Sequence, residues 1–366
     1  MPYESLYTHV PFCAAKCDYC AFYSEPEASG ELRRQYLDRL REELAAARQE
    51  GELASVFIGG GTPTILTEAE LGEMLGMVRS CFQFRKSYEW TVEANPDSLT
   101  PAKIEILARY GVNRISLGVQ SLQPLLRAML GRCGELGDLT DKLWQLRRAG
   151  IERQNLDFIF AIPGQSLADW RDDLSRAVDL GVEHISAYAL TLEEGTRLAE
   201  RTAADAVDEN TFEAMWDVAD EVLARGGLRR YEISNFARAG AECRHNLAIW
   251  HGGTYLGCGP AATSFDGSTR WTQPPSLRAW LAGTPVEPDV LPPEERACEI
   301  LAFGFRTVAG WQWPDFRART GFAAYDLRGA ELAELVSDGL LAPSGDGLAP
   351  TRAGMLLNDS VIAALL

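Results

Sequence analysis

The sequence predicts an α/β fold: a partial (β/α)6 barrel carrying a small C-terminal winged-helix-like α+β domain. Three observations predict it. Six short β-branched or aromatic segments alternate with amphipathic stretches up to about residue 225. Capping and stop signals fall between those segments. The glycine-rich and polar motifs sit at the C-terminal ends of the candidate strands, where folds of this kind gather their chemistry.

The expected strands are LYTHV (6–10), SVFIGG (55–60), EWTVEAN (89–95), RISLGVQ (114–120), NLDFIFAIPG (155–164) and HISAYALT (184–191). Helices are expected near 31–50, 67–83, 101–110, 122–149, 167–180 and 207–225. Thr67 and Glu70 have the spacing of a capping box, and Thr100 before Pro101 is an N-cap followed by proline at the first helical position. Gly111, Gly150 and Gly181 stand where a helix must turn back toward its next strand. Trp170, Leu174, Ala177 and Val178 form one apolar stripe that faces a core. Six β-then-α units in series, joined by right-handed crossovers, curl a parallel sheet into part of a barrel.

After residue 226 the pattern changes. LRRYEISNFA reads as a further strand, ECRHNLAIWHGGTYLGCGPAATSF as loop-rich, and TQPPSLRAWLAGTPVEPDVLPPEE as a proline-rich connection. A helix near 293–306 and a helix, strand pair around GDG and helix at the end give the winged arrangement. The expected division is a barrel domain over 1–237, a loop-rich segment over 238–288 and the C-terminal domain over 289–366. That last stretch carries ten acidic and six basic side chains across 290–366, so it is read as a packing or partner-docking module rather than a DNA reader.

The chain has 366 residues, 46% of them hydrophobic, and a formal net charge of −17. Such an acidic surface argues against sequence-independent nucleic-acid binding. The start, MPYESLYTHV, lacks the basic and apolar regions of a signal peptide, and no run approaches the roughly 18 apolar residues that span a bilayer. A cytoplasmic location is expected.

Eight cysteines stand at 13, 17, 20, 81, 133, 243, 258 and 298. The five scattered ones read as small buried apolar residues. Cys13, Cys17 and Cys20 lie within eight residues at a strand end, which points to metal. Structural zinc would need a fourth ligand to close its tetrahedron, and His9 is the nearest candidate. A [4Fe–4S] cluster held by three thiolates leaves one iron open to an exchangeable ligand. Phe12, Tyr19 and Phe22 offer partial shielding for such a centre. In GGGTPT (59–64) the missing side chains let the backbone approach a small charged ligand.

C-x3-C-x2-C after a first strand, with GGGTPT after the second, resembles the radical S-adenosylmethionine (SAM) enzymes. The resemblance implies that the amino and carboxylate groups of SAM take the open iron, and that the reduced cluster passes one electron to the sulfonium. YTHVPFCAAKCDYCAF, LGVQS, DFIFAIPGQ and the C-terminal region together resemble the family of oxygen-independent coproporphyrinogen III oxidases and the related heme chaperones. Carried onto matching positions, the family's SAM contacts are Tyr7, Tyr19, Gly60, Gly61, Thr62, Glu93, Gln120, Arg132 and Asp157. The oxidases place another cysteine two positions after the third, where this chain has Phe22, and usually carry a longer leader; both departures point to the chaperone branch. That branch has an H-N-x-x-Y-W segment for heme, read here as HNLAIW, with His245, Asn246 and Trp250 as the matching residues and Ile249 where tyrosine is expected. An imidazole suits iron and an indole suits a porphyrin face; Cys243 and His251 stand nearby. The resemblance thus implies heme as cargo, heme-acceptor proteins and an electron donor as partners, and a cluster that serves regulation or dimerisation more than turnover.

Overall fold

The computed structural model describes residues 2–26, 28–132, 134–203 and 207–366. Six parallel strands follow the chain: β1 (Ser5–Val10), β2 (Glu52–Gly60), β3 (Gln83–Ala94), β4 (Arg114–Gln120), β5 (Arg153–Phe160) and β6 (His184–Ala189). Helices α1 (Gly30–Ala46), α2 (Glu68–Cys81) and α3 (Pro101–Tyr110) return the first three crossovers. Thr67 and Glu70 form both bonds of the capping box, and Thr100 accepts from the backbone N–H of Lys103. Such caps contribute about 1 kcal/mol each. Gly111, Gly150 and Gly181 hold φ of 90°, 87° and 70°, the left-handed geometry their turns require.

The single helix expected over 122–149 is two. α4 (Pro124–Met129) and α5 (Leu139–Arg148) are separated by a segment in which Gly131 and Gly137 take φ of 69° and 60°. Three glycines in seven residues cost the helix too much backbone entropy to continue. α6 (Leu167–Asp179) buries Trp170, Leu174 and Ala177 against α7 (Glu209–Arg225), and the Trp170 indole donates to the Met215 carbonyl at 2.9 Å.

Beyond the sixth strand the sheet continues. LRRYEISNFA is not one strand but a tight antiparallel pair, β7 (Arg229–Arg230) and β8 (Asn235–Ala237), of which β8 adds antiparallel to β6. The segment read as loop-rich holds a helix, α8 (Arg244–Trp250), and a strand, β9 (Tyr255–Cys258), that pairs parallel with β1 on its outer edge. β10 (Thr263–Phe265), β11 (Thr269–Thr272) and β12 (Asp289–Val290) continue antiparallel, giving the order β12-β11-β10-β9-β1-β2-β3-β4-β5-β6-β8-β7. These strands are only two to four residues long, too short for sequence periodicity to register.

Along the six parallel strands side chains alternate between two environments. One set, including Leu6, Val56, Ile58, Trp90, Val92, Ile115, Leu117, Phe158 and Ile185, is fully buried under the helices. The other set is polar and lines the inside: Ser5, Tyr7 and His9; Ser55; Glu89, Thr91 and Glu93; Arg114 and Ser116; Asn155 and Asp157; His184 and Ser186. A polar lumen therefore runs from the N-terminal to the C-terminal ends of the strands.

The C-terminal region has its own core, with Leu301, Phe305, Phe316, Leu332 and Val361 at 0% exposure. It consists of α9 (Pro293–Gly304), helices over Trp313–Thr320 and Ala324–Ser337, and the strand pair Leu341–Ser344 with Gly347–Pro350 around the GDG turn, closed by Asn358–Leu365. An isolated bridge between Glu232 and Thr307 joins it to the barrel, and Arg352 pairs with Asp217 of α7 at 2.9 Å. Among the described residues no helix is long and apolar enough to cross a membrane.

Candidate metal centre and cofactor site

Cys13, Cys17 and Cys20 lie on the loop that leaves β1, each partly exposed. Two anchors hold that loop. Asp18 pairs with Arg197 at 3.1 Å and Arg201 at 2.7 Å, while its backbone N–H reaches the Leu130 carbonyl at 3.0 Å. Tyr19 sinks into an apolar cluster of Leu126, Leu130, Ile159, Ile162 and Leu198. Burial raises the Cys13 and Cys20 thiols above their ordinary values, so a bound cation is what would keep them as thiolates. Among the described residues no three Cys, His, Asp or Glu side chains converge as a single ion would need; a cube instead distributes its thiolates over separate irons. His9 is not a fourth ligand. Its Nε2 faces the Tyr23 carbonyl at 3.0 Å, so Nε2–H donates there and Nδ1 accepts from the Tyr7 hydroxyl at 3.0 Å.

The three glycines at the end of β2 are accounted for by protein already in place. A β-carbon on Gly59 would stand 2.7 Å from a Glu93 carboxylate oxygen, one on Gly60 2.5 Å from the His9 ring, and one on Gly61 3.0 Å from the Cys13 sulfur. Gly60 also holds φ of 105° and donates its N–H to Glu93 at 3.0 Å. The turn thus lets the carboxylate, the imidazole and the cysteine loop each pack against one of its three glycines.

Two acids face the lumen below that turn. Burial, then the charge of Asp157, pushes the Glu93 carboxyl up to about 8. Asp157 accepts from Ser116 at 2.9 Å and Asn155 at 2.8 Å, yet burial still raises it. Tyr188, on β6, is 42% exposed, while its surroundings raise its phenol above the ordinary value. A cation placed beside these two acids would favour their ionised form.

Gln120 ends β4 with φ of 69° beside a register shift, a left-handed conformation unusual for a side chain of this kind. Arg132 is folded over the cysteine loop instead of projecting into solvent. It donates to the Gly118 carbonyl at 2.8 Å, to Asn95 Oδ1 at 3.1 Å and to the Cys17 sulfur at 3.7 Å. Among the described residues its buried Nε has no partner, which leaves a donor for an anionic group such as a carboxylate. Thr62 lies 3.8 Å from the Cys13 sulfur through its hydroxyl. Tyr7, Tyr19, Gly60, Gly61, Thr62, Glu93, Gln120, Arg132 and Asp157 therefore lie around the C-terminal mouth of the barrel with the three cysteines. The donor set fits an iron–sulfur cluster with a zwitterionic cation beside it: three thiols, a clamped guanidinium and buried acids.

His245, Asn246 and Trp250 lie elsewhere. α8 crosses the opposite end of the barrel, where Glu89 receives the N–H groups of Arg244 at 2.9 Å and His245 at 3.3 Å, and the Cys243 thiol at 3.6 Å. Arg114 and Arg153, each 3.7 Å away, balance that carboxylate. His245 is 3% exposed, tilted over Phe57 at 5.2 Å, with Nδ1 2.9 Å from Ser55. Ser55 donates to Ser5 at 2.8 Å, so it accepts from Nδ1–H and leaves the imidazole lone pair on Nε2. Trp250 instead lies against Arg306 and Phe303, at 4.5 and 6.4 Å, and among the described residues its buried indole N–H has no partner. The two rings do not share one surface. Cys243, Cys258 and Cys298 are buried and Cys81 partly so; Cys133 lies outside the described residues.

Sequence reasoning did not single out Asn95 or Glu89. Each stands next to apolar residues on a strand or strand end, which was the available signal, but charge and amide at such positions read equally as solvent-facing.

Comparison with known proteins matches residues 7–177 to the radical SAM superfamily and 291–357 to the HemN C-terminal domain. The heme chaperone HemW of Mycobacterium tuberculosis is 36% identical over 384 residues, covering 99% of this chain and 94% of that one. HemW of Bacillus subtilis is 32% identical, with 99% of each chain covered, and that of Escherichia coli is 31% identical, with 100% and 99% covered. The solved coproporphyrinogen III oxidase of Escherichia coli superposes with a TM-score of 0.86 at 21% identity, covering 100% of this chain and 91% of that one, and so shares the fold. With relatives of this identity along its whole length and the cysteine and glycine motifs at one mouth, the chain belongs to the HemW family of radical SAM proteins.

Proposed function

We propose that the protein is a cytoplasmic heme chaperone that holds a [4Fe–4S] cluster on Cys13, Cys17 and Cys20, binds SAM beside it, and passes heme to acceptor proteins. The observation that supports this reading is that one loop carries three free thiols at the barrel mouth, with Arg132 clamped over it and the acids Glu93 and Asp157 facing it from the strands. When bound, the cluster supplies one-electron chemistry from an external donor. Arg132 Nε offers a donor for the SAM carboxylate, and Glu93 and Asp157 accept from its ammonium or ribose hydroxyls. Gly60 and Gly61 keep the cysteine loop close enough for those groups to meet. Phe22 stands where the oxidase pattern has another cysteine, which favours cargo handling over porphyrinogen decarboxylation; at 71% exposed it does not shield the thiols as the sequence suggested. SAM is held without rapid cleavage, and a cluster-dependent homodimer belongs to the same reading.

Heme iron would meet His245 through Nε2, which the Ser5–Ser55–His245 relay leaves unprotonated. Because that ring is enclosed, uptake requires α8 to move. The test is an anaerobic heme titration of wild type and His245→Ala, each with and without the reconstituted cluster. A stoichiometric site lost in the variant is the expected result; equal weak binding in both, or a colourless, iron-poor wild type after anaerobic reconstitution, overturns the proposal. Coproporphyrinogen III supplied with SAM and dithionite should lose no carboxyl groups by mass spectrometry.

A further inference from the structure

The side chain of Asn95 stands just past the end of β3 and, among the described residues, hydrogen-bonds to none of the three cysteines and to no backbone group of the glycine turn. Its two ends face two different partners. Oδ1 accepts from Arg132 Nη2 at 3.1 Å, and Nδ2 donates to Thr62 Oγ1 at 3.1 Å. This orientation is unambiguous, because a guanidinium has only donors and must meet the amide oxygen.

Each partner in turn reaches a different sulfur. Arg132 Nη1 donates to Cys17 Sγ at 3.7 Å. Thr62 Oγ1 lies 3.8 Å from Cys13 Sγ; with one of its lone pairs taken by the amide, its hydroxyl proton is free to point at that sulfur. One amide therefore sets a donor against each of two ligands.

Space has been cleared for this arrangement. A β-carbon on Gly118 would stand 2.6 Å from Arg132 Nη2 and 3.0 Å from Asn95 Oδ1. Gly118 is not among the residues with positive φ, so its backbone does not require glycine, whereas the clearance does. A cavity of about 80 Å3 lined by Cys17, Asn95, Gly118 and Arg132 adjoins the pair.

We propose that Asn95 is a positioning residue that tunes the electron affinity of the cluster, by holding Arg132 against Cys17 and Thr62 against Cys13. The inference rests on the reading that these cysteines carry a [4Fe–4S] cluster. Hydrogen bonds and positive charge at the thiolates stabilise the reduced cluster, which is more negative by one electron, and raise its potential. Loosening both donors lowers it.

The test is an electron-paramagnetic-resonance redox titration with dithionite as the electron source, on full-length protein reconstituted anaerobically as wild type, Asn95→Ala and Gly118→Ala. Asn95→Ala is expected to keep its iron and sulfide and to lose about tenfold in electron affinity, a midpoint about 59 mV more negative for one electron. Gly118→Ala, with the amide intact but pushed from Arg132, should shift the same way by less. The double variant should lie no lower than Asn95→Ala, since both act through one pair. Unmoved midpoints in both single variants, or a positive shift in Gly118→Ala, overturn the proposal. Should Asn95→Ala fail to retain a cluster, Gly118→Ala decides: a lowered midpoint supports the role and an unchanged one removes it. An iron-free wild type would defeat the underlying cluster reading, whereas a loaded wild type with unmoved variants defeats only this one.

Discussion

Glu93 shows how a single side chain is set by what surrounds it. Its carboxyl is held at about 8 by burial and by Asp157, against an ordinary 4.5. A raised carboxyl favours the folded state fully below pH 4.5, and that contribution is lost as pH rises through 8. Replacing it with glutamine keeps an acceptor for the Gly60 N–H and removes the titration. In ligand-free protein, Glu93→Gln should therefore match wild type at pH 4 to 5 and become progressively more stable toward pH 8, by a few kcal/mol, with no further gain above. Urea unfolding across that range checks the sign; a constant difference at every pH would contradict it. The role of this residue was legible in the sequence only as a carboxylate at a strand end. Its ionisation depends on Asp157, 64 residues away in the chain, which no local pattern reveals.

Among the elements, α8 departs most from what the sequence suggested. Seven residues with no capping side chain make a weak helix on propensity alone. Glu89, from a strand more than 150 residues earlier, supplies the missing partner at its N-terminus. Glu89→Ala should strand those N–H groups and leave Arg114 buried without its charge partner, costing about 3–5 kcal/mol. Thermal unfolding measures it, and Glu89→Gln should recover part of the loss by restoring an acceptor. By comparison Thr67→Ala at the capping box of α2 should cost only about 1 kcal/mol. The helices with their own caps were readable because the signal is local. α8 and the short strands β7 to β12 take their form from tertiary partners.

At the scale of the whole molecule, two apolar cores sit side by side, and most of the architecture was readable because parallel strands and amphipathic helices carry long, regular patterns. The edges of the sheet were not, since two-residue strands have no period to detect. Phe316 is fully enclosed in the C-terminal core. Phe316→Ala should destabilise that core by about 3–5 kcal/mol. Amide exchange should then quicken over 293–366 while the six parallel strands stay protected; equal acceleration in both would show that the cores unfold as one. The three-cysteine loop should be separable in the opposite sense. Replacing Cys13, Cys17 and Cys20 by serine should leave the thermal midpoint of the metal-free protein within a few degrees of wild type, because the thiols lie outside either core.

With Glu89, Ser55 and His245 knitting α8 across the base of the strands, the inner chamber has a floor as well as walls. Heme held by His245 would have to pass that floor, whereas SAM beside the cysteines would enter at the rim, so the two approaches would be separate.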